Sequence, residues 1–116
     1  EFLDLRGQTD ADLDQAALEL ARQYVTNVVL SLGANGALLA TPDGRCFHAR
    51  PPQVEVVTAV GSGDCLLAGL LYGQTHGLPL DQALRYGVAA GTANTLQLGA
   101  GVFTLADFEH ILAQIV

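Results

Sequence analysis

The chain has 116 residues, half of them hydrophobic, and a formal net charge of −7 that results from twelve acidic residues, five arginines and no lysine. The acidic balance and the scattered arginines disfavour nucleic-acid partners and anionic membrane surfaces, since both recognise clustered positive charge. No apolar segment approaches the ~20 residues that a membrane-spanning helix needs, so the composition indicates one globular domain or part of one.

The first predicted element is a helix over residues 11–24, with Thr9 and Asp10 as its candidate N-cap. Its apolar residues recur at the spacing of one helical face, namely Leu13, Ala17, Leu20 and Ala21. Residues 28–32 follow as a short strand. This strand shows no alternation of polar and apolar residues, which is typical of a buried strand in a parallel sheet.

A hairpin is predicted after the glycine-containing turn over residues 31–36. Its strands cover residues 37–40 and 45–48, and they flank a turn at residues 42–44 that contains proline, aspartate and glycine. A further short strand over residues 54–57 leads into a glycine-rich loop.

Three helices are predicted after that loop. The first covers residues 65–75, the second covers residues 80–98 and ends at the glycines of residues 99–101, and the third is capped by Thr104 and extends through Ile115. Strands and helices in this order indicate an α/β fold, in which ligands bind beside the carboxyl ends of strands.

The glycine-rich loop, residues 58–64 with the sequence TAVGSGD, indicates an anion site. Gly61 and Gly63 let a ligand approach the backbone, and the following helix offers unpaired N–H groups and the positive end of its dipole. A Walker-A loop is excluded because the chain has no lysine. Phosphate charge would therefore have to be met by amides, the helix dipole, a metal ion or arginine.

Asp64 closes this loop and has two interpretations. It can be the N-cap of the helix, or it can be a general base that accepts a hydroxyl proton during phosphoryl transfer. The local sequence leaves both open.

Asn94 also has two interpretations, as a packed polar residue or as a ligand contact. The small residues around it predict close helix packing or room for a flat ring.

The turn over residues 31–36 could line the same crevice as the glycine-rich loop, because both follow strand ends; the alternative is an ordinary turn within a hairpin. The two cysteines, Cys46 and Cys65, lack metal-ligand spacing and are predicted to be buried thiols in a reducing cytoplasm. His48, His76 and His110 also lack such spacing and are predicted surface or turn residues.

Three segments together resemble the C-terminal part of PfkB/ribokinase-family carbohydrate kinases: residues 28–37 (VVLSLGANGA), residues 58–64 (TAVGSGD) and residues 89–94 (AAGTAN). Ser62 and the third segment resemble the sugar-phosphate branch, which includes phosphofructokinases and tagatose-6-phosphate kinases. The resemblance implies a ribokinase-like α/β/α three-layer sandwich. It also implies an ATP-dependent transfer of a phosphoryl group to a hydroxyl of a sugar phosphate.

The resemblance also implies site residues. Asp64 would be the catalytic base, and Gly61, Ser62 and Gly63 would form the anion hole. The nucleotide would be bordered by Ser31, Leu32, Gly33, Ala34, Asn35 and Gly36, with Asn94 in a flanking helix. A potassium ion would be held by backbone carbonyls of Thr58, Val60 and Gly99.

Residues 1–116 are expected to be the C-terminal, nucleotide-binding part of a longer kinase, since the chain has no methionine and the family's sugar site, lid and magnesium-placing motif are not found in it. Alone it is expected to be inactive, because closure and metal placement supply much of phosphoryl-transfer catalysis. The parent could form a homodimer through its lid.

Three alternatives are a kinase for an unphosphorylated sugar or nucleoside, a non-catalytic nucleotide-binding module and an NAD-binding oxidoreductase. The last is disfavoured because neither glycine turn has the pattern G-x-G-x-x-G.

Overall fold

The computed structural model describes residues 10–54, 56, 61–96 and 104–115. In these ranges it contains four α-helices, a short 3-10 helix at Gly33–Asn35 and one three-stranded sheet. The elements in chain order are α1 Asp10–Tyr24, β1 Val28–Ser31, β2 Ala37–Ala40, β3 Cys46–Ala49, α2 Ser62–Thr75, α3 Leu80–Asn94 and α4 Leu105–Leu112.

The sheet has the order β1-β2-β3, and both pairings are antiparallel. Val28 lies opposite Ala40 in the first pairing, and Ala40 lies opposite Cys46 in the second. The predicted hairpin is therefore confirmed. The strand predicted at residues 28–32 is also present, but its described pairing with β2 is antiparallel rather than parallel. In the described sheet β1 is an edge strand, and its residues Val28–Leu30 are half-buried while Ser31 is exposed, so the missing alternation does not mark a fully buried strand here.

Both faces of the central strand β2 are buried, and they contact different layers. Leu38 and Ala40 pack with Ala17 and Ala21 of α1 on one face. On the other face Leu39 joins a larger core, whose other large members are Leu70, Leu84, Val88, Ile111 and Ile115. Because side chains alternate across a strand, this arrangement places helices on either side of the sheet. The chain is thus an α/β/α three-layer arrangement, as the sequence predicts.

Two helix boundaries differ from the predicted ones, namely the start of α2 and the end of α3. α2 begins at Ser62 instead of residue 65, because Gly61 takes a left-handed conformation (φ 81°, ψ 0°) and acts as its N-cap. α3 ends at Asn94 instead of residue 98, where the hydroxyl of Thr95 donates to the Thr92 carbonyl at 2.6 Å. The predicted break at residues 99–101 lies outside the described residues.

The remaining predictions have mixed outcomes. α1 is confirmed, but it begins at Asp10 rather than at residue 11, so Asp10 lies within the helix instead of capping it. Thr9, the other candidate N-cap, lies outside the described residues. Thr104 caps α4 as predicted, since its hydroxyl accepts from the Asp107 N–H at 3.1 Å, but the helix ends at Leu112 and Ile115 packs into the core beyond it. Val54 and Val56 are not in a strand, and the other residues of the strand predicted at 54–57 lie outside the described ranges.

α2 and α3 contact each other through glycines. A Cβ at Gly87 would lie 2.6 Å from the Leu66 carbonyl oxygen, and one at Gly69 would lie 2.7 Å from the Tyr86 carbonyl oxygen. Distances this short leave no room for a methyl group, so the two helices approach to backbone contact. Gly91, one of the small residues for which the sequence predicts close packing or room for a flat ring, also lies against α2, since a Cβ there would be 3.1 Å from the Ser62 carbonyl oxygen, and it lines a cavity as well.

We expect Gly87→Ala to lower the free energy of unfolding by about 1–3 kcal/mol, because its methyl group must displace the backbone of α2. The opposing gain in helix propensity is only about 0.5–1 kcal/mol. Urea unfolding followed by circular dichroism measures the change. Gly63→Ala is the matched control, since a Cβ there meets no atom within 4 Å; equal losses in both variants would contradict the contact.

Candidate active site

The described end of the glycine-rich loop is the amino end of α2. The Gly61 carbonyl accepts the first helical hydrogen bond, from the Cys65 N–H at 3.0 Å. The N–H groups of Ser62, Gly63 and Asp64 therefore have no acceptor within the helix, as in the first turn of any α-helix. A Cβ at Gly63 would meet no atom within 4 Å. The backbone of this turn is thus open to a ligand on the Gly63 side.

A cavity of about 270 Å³ lies against this turn. It is bounded by the turn between β1 and β2, by the segment at residues 51–54 with Val56, and by one face of α3. Its size is close to the lower end of small-molecule sites, which span roughly 300–1,000 Å³. Predicted site residues that line it are Ser31, Gly33, Ala34, Gly36, Ser62 and Gly63.

The two glycine-containing turns therefore contribute to one cavity, as predicted, although Val54 and Val56 before the second turn are not in a strand. Leu32 and Asn35 belong to the first turn but are not among the residues that line the cavity. The binding of a nucleotide by this set stays a prediction. Thr58, Val60 and Gly99, the predicted potassium ligands, lie outside the described residues.

The turn between β1 and β2 is tightly closed. The Leu32 N–H donates to the Gly36 carbonyl at 2.7 Å, and the Gly36 N–H donates to the Gly33 carbonyl at 3.1 Å. Gly36 has φ 89°, and a Cβ there would lie 1.9 Å from the Ala49 carbonyl oxygen. Glycine at this position thus lets the turn close against the end of β3, a tertiary contact that the sequence did not indicate.

Asn94 lies behind the amino end of α2. Its side chain is fully buried, and its Nδ2 donates to the Ser62 hydroxyl oxygen at 3.1 Å. Asn94 does not line the described cavity. Of the two interpretations left open by the sequence, its position is that of a packed polar residue, which connects α3 to the first residue of α2. This link was missed because the residues are 32 positions apart.

Asp64 is the third residue of α2 and is exposed. The N-cap position is occupied by Gly61, so the interpretation of Asp64 as an N-cap is wrong. Its carboxylate has no hydrogen-bond partner in the part of the chain that the structure describes, and it follows Gly63 directly. Nothing in these ranges therefore assigns the carboxylate a structural contact, and its role as a base stays a prediction.

A second group of chemically active side chains was missed by the spacing argument. Asp14 of α1 meets Cys46 and His48 of β3, and His48 Nε2 lies 2.7 Å from Asp14 Oδ1. Cys46 is half-buried, whereas Cys65 is buried as predicted. Burial and the neighbouring Asp14 carboxylate together raise the pKa of the Cys46 thiol to about 11. The signal in the sequence was the Cys-x-His pattern, which places both side chains on one face of a strand.

None of the helices in the described ranges is both long enough and apolar enough to cross a bilayer.

Comparison with known proteins gives one consistent family. Residues 1–106 match the family described as pfkB family carbohydrate kinase. The chain is 37% identical over 103 residues to a 1-phosphofructokinase of Vibrio cholerae, an alignment that covers 89% of this chain and 31% of that protein. The chain thus spans about a third of the length of that relative.

Solved structures agree with this result. The chain is similar to phosphofructokinase-2 from Escherichia coli in complex with potassium, with a TM-score of 0.83, 32% identity, and coverage of 95% of this chain and 35% of that one. It also matches ribokinase from Thermotoga maritima, with a TM-score of 0.75, 24% identity, and coverage of 87% and 34%. The second likeness extends the shared fold to a ribokinase.

Proposed function

Because this chain belongs to the pfkB family of carbohydrate kinases, we propose that it is the C-terminal, nucleotide-binding part of an ATP-dependent sugar-phosphate kinase. The observation that carries the proposal is the amino end of α2, whose first N–H groups have no acceptor within the helix. Ser62 and the open Gly63 line the cavity there, and the exposed carboxylate of Asp64, which is not among the lining residues, follows them directly. Phosphoryl transfer needs these features, because its catalysis rests on positioning and on stabilising developing negative charge.

The N–H groups of Ser62, Gly63 and Asp64 would hold the transferred phosphoryl group. They are directed along the helix axis, and the helix dipole adds partial positive charge at the same point. Gly63 would let a phosphate oxygen approach the backbone, since no described atom occupies the position of a Cβ. With no lysine in the chain, these amides take the place of the phosphate clamp that other kinases build from lysine.

Asp64 would act as the general base. As the acceptor hydroxyl oxygen attacks the γ-phosphorus, the hydroxyl proton moves to the Asp64 carboxylate and the bond to ADP breaks. A carboxylate next to an anion site repels the phosphate in the ground state, so anion binding alone gives no reason for it. Its exposure and its lack of a described partner leave it available to a substrate that approaches from solvent.

The cavity would receive part of the nucleotide. Val54, Leu66 and Val88 supply apolar walls, which suit the faces of a purine ring, and Ser31 supplies a polar group at its edge. Gly91 lets α3 approach the amino end of α2, since a Cβ there would lie 3.1 Å from the Ser62 carbonyl oxygen. Asn94 would act indirectly, by holding Ser62 through its hydrogen bond.

Mg²⁺, when bound with ATP, would neutralise charge on the β- and γ-phosphates; its ligands are proposed to lie mostly outside residues 1–116. A potassium ion held by carbonyls of Thr58, Val60 and Gly99 is a further part of the proposal. It is supported by the family resemblance and by the potassium complex of the Escherichia coli phosphofructokinase-2, and not by described residues of this chain.

The acceptor is proposed to be a sugar phosphate, because the similar proteins named above include a 1-phosphofructokinase and a phosphofructokinase-2. Purified parent protein should release ADP from ATP when fructose 1-phosphate, fructose 6-phosphate or tagatose 6-phosphate is present. Turnover only with fructose, ribose or adenosine would instead identify a kinase for an unphosphorylated acceptor. ATP binding without turnover on any of these would identify a nucleotide-binding module.

Residues 1–116 alone are proposed to be inactive, since the sugar site and the lid of the family lie in another part of the parent. The isolated chain should release no ADP above the buffer blank in the same assay. Clear turnover by it would show that this part contains the whole site. A cytoplasmic location belongs to the same proposal, because sugar kinases use cytoplasmic ATP. The parent is also proposed to assemble as a homodimer through its lid.

A further inference from the structure

α1 and β3 bring three potential metal ligands together on the face of the sheet opposite α3. Cys46 and His48 alternate with Phe47 along β3, so both side chains are on the face that α1 covers. Asp14 of α1 reaches the same point. The ligand atoms of Asp14, Cys46 and His48 all lie within 4.8 Å of one another. These residues take no part in the cavity beside α2.

We propose that Asp14, Cys46 and His48 bind one divalent transition-metal ion, with Zn²⁺ as the ion that fits them best. A thiolate, an imidazole and a carboxylate are the three ligand types that Zn²⁺ takes from proteins. Mg²⁺ and Ca²⁺ are disfavoured, because both require oxygen ligands. The site is separate from the magnesium that accompanies ATP, and it does not depend on the proposed kinase activity.

The geometry needs only small movements. Zn²⁺–ligand distances of about 2.0–2.3 Å in a tetrahedron place ligand atoms about 3.3–3.7 Å apart. His48 Nε2 and Asp14 Oδ1, now 2.7 Å apart, would separate by less than an ångström, and the Cys46 sulfur already lies within 4.8 Å of both ligand atoms. Asp14 and His48 have partly exposed side chains, with 34% and 30% of their surface accessible, so an ion can enter from solvent.

Binding would replace the hydrogen bonds of Asp14 with His48 and with Cys46 by three metal–ligand bonds. The Cys46 S–H proton is released to solvent as the sulfur becomes a thiolate ligand, and the His48 imidazole binds in its neutral form. In the described part of the chain the group has no fourth ligand from a cysteine, histidine or acidic side chain. A water molecule would therefore complete the tetrahedron. Because the ligands come from α1 and β3, the ion would attach α1 to the sheet.

The test is metal binding by the full chain, reduced and stripped of metal. Titration with ZnCl₂ in a calorimeter should show one ion bound per chain, and CoCl₂ should produce thiolate-to-cobalt charge-transfer absorption. Cys46→Ala and His48→Asn should each weaken Zn²⁺ binding more than about tenfold, because even the loss of a partner outside the ligand shell costs about 10–100-fold in metal affinity. The matched controls Cys65→Ala and His110→Asn remove the same chemical groups elsewhere and should leave binding unchanged.

Two results would overturn the proposal. One is the absence of thiolate-to-cobalt absorption in the wild-type chain, a result that does not depend on any variant folding. The other is Zn²⁺ binding that survives Cys46→Ala and His48→Asn, or that falls equally in the two controls. Circular dichroism of each variant shows whether it is folded, and Zn²⁺ should raise the melting temperature of the wild-type chain but not of Cys46→Ala.

Discussion

Asp64→Asn in the parent protein is expected to lower kcat by about 10²–10⁴-fold, the contribution typical of a general base. Asparagine keeps the size of the side chain but cannot accept the hydroxyl proton. The KM for ATP should change by less than about threefold, because the amide removes a negative charge from the anion site without removing an N–H group. Steady-state ADP release at varied ATP and sugar phosphate measures both constants.

Asp107→Asn is the matched control for this substitution. Asp107 is the third residue of α4, whose N-cap is Thr104. Asp64 has the same position in α2, whose N-cap is Gly61. Both changes remove an acid from the first turn of a helix, so both should lower stability by about 0.3–1 kcal/mol. Only Asp64→Asn should affect turnover. Unchanged kcat in Asp64→Asn would refute the role of Asp64 as the general base. It would not affect the proposed anion site or the assignment of the chain to its family.

Gly36→Ala is expected to give the largest loss of stability of the substitutions considered, about 3–5 kcal/mol. The new methyl group would lie 1.9 Å from the Ala49 carbonyl oxygen, and the backbone there has φ 89°. Either the turn between β1 and β2 opens or the end of β3 is displaced. Denaturant unfolding of the variant, followed by circular dichroism, measures the loss.

Gly33→Ala separates the two causes of that loss. Gly33 lies in the same turn with φ 59°, but a Cβ there meets no atom within 4 Å. Alanine at this position should therefore cost only about 1–2 kcal/mol, which is the penalty for a left-handed backbone. If the two alanine variants lose the same stability, the contact with Ala49 is not what requires glycine at position 36.

The elements that could be predicted from sequence are those with local signals. The apolar spacing of α1, the Pro-Asp-Gly turn of the hairpin and the Thr104 cap of α4 are each contained in a few consecutive residues. The start of α2 was misplaced by three residues, because the backbone angle of Gly61 decides it and glycine permits several. The pairing direction of β1 depends on its partner strand, so its composition could not reveal it.

In the candidate site, too, features with local sequence signals could be predicted and contacts between distant residues could not. The two glycine turns could be assigned to one crevice on the expectation that both follow strand ends. Their proximity is observed, but Val54 and Val56 before the second turn are not in a strand. The hydrogen bond from Asn94 to Ser62 and the meeting of Asp14 with His48 span more than 30 residues each. Such contacts are set by how whole elements pack. The spacing of residues along the chain, on which the sequence analysis found no metal site, does not reveal contacts between distant elements.

The glycine contacts between α2 and α3 have a mechanical consequence. With the Gly87 and Gly69 backbones against those of their partners, α2 cannot slide or rotate on α3 without a steric clash. These contacts therefore hold the N–H groups at the amino end of α2 in one direction. Fixed dipoles of this kind do not have to reorient as negative charge develops, which is the main advantage that a protein site has over water. Any closing motion in the parent would then have to come from the part that moves toward this rigid pair.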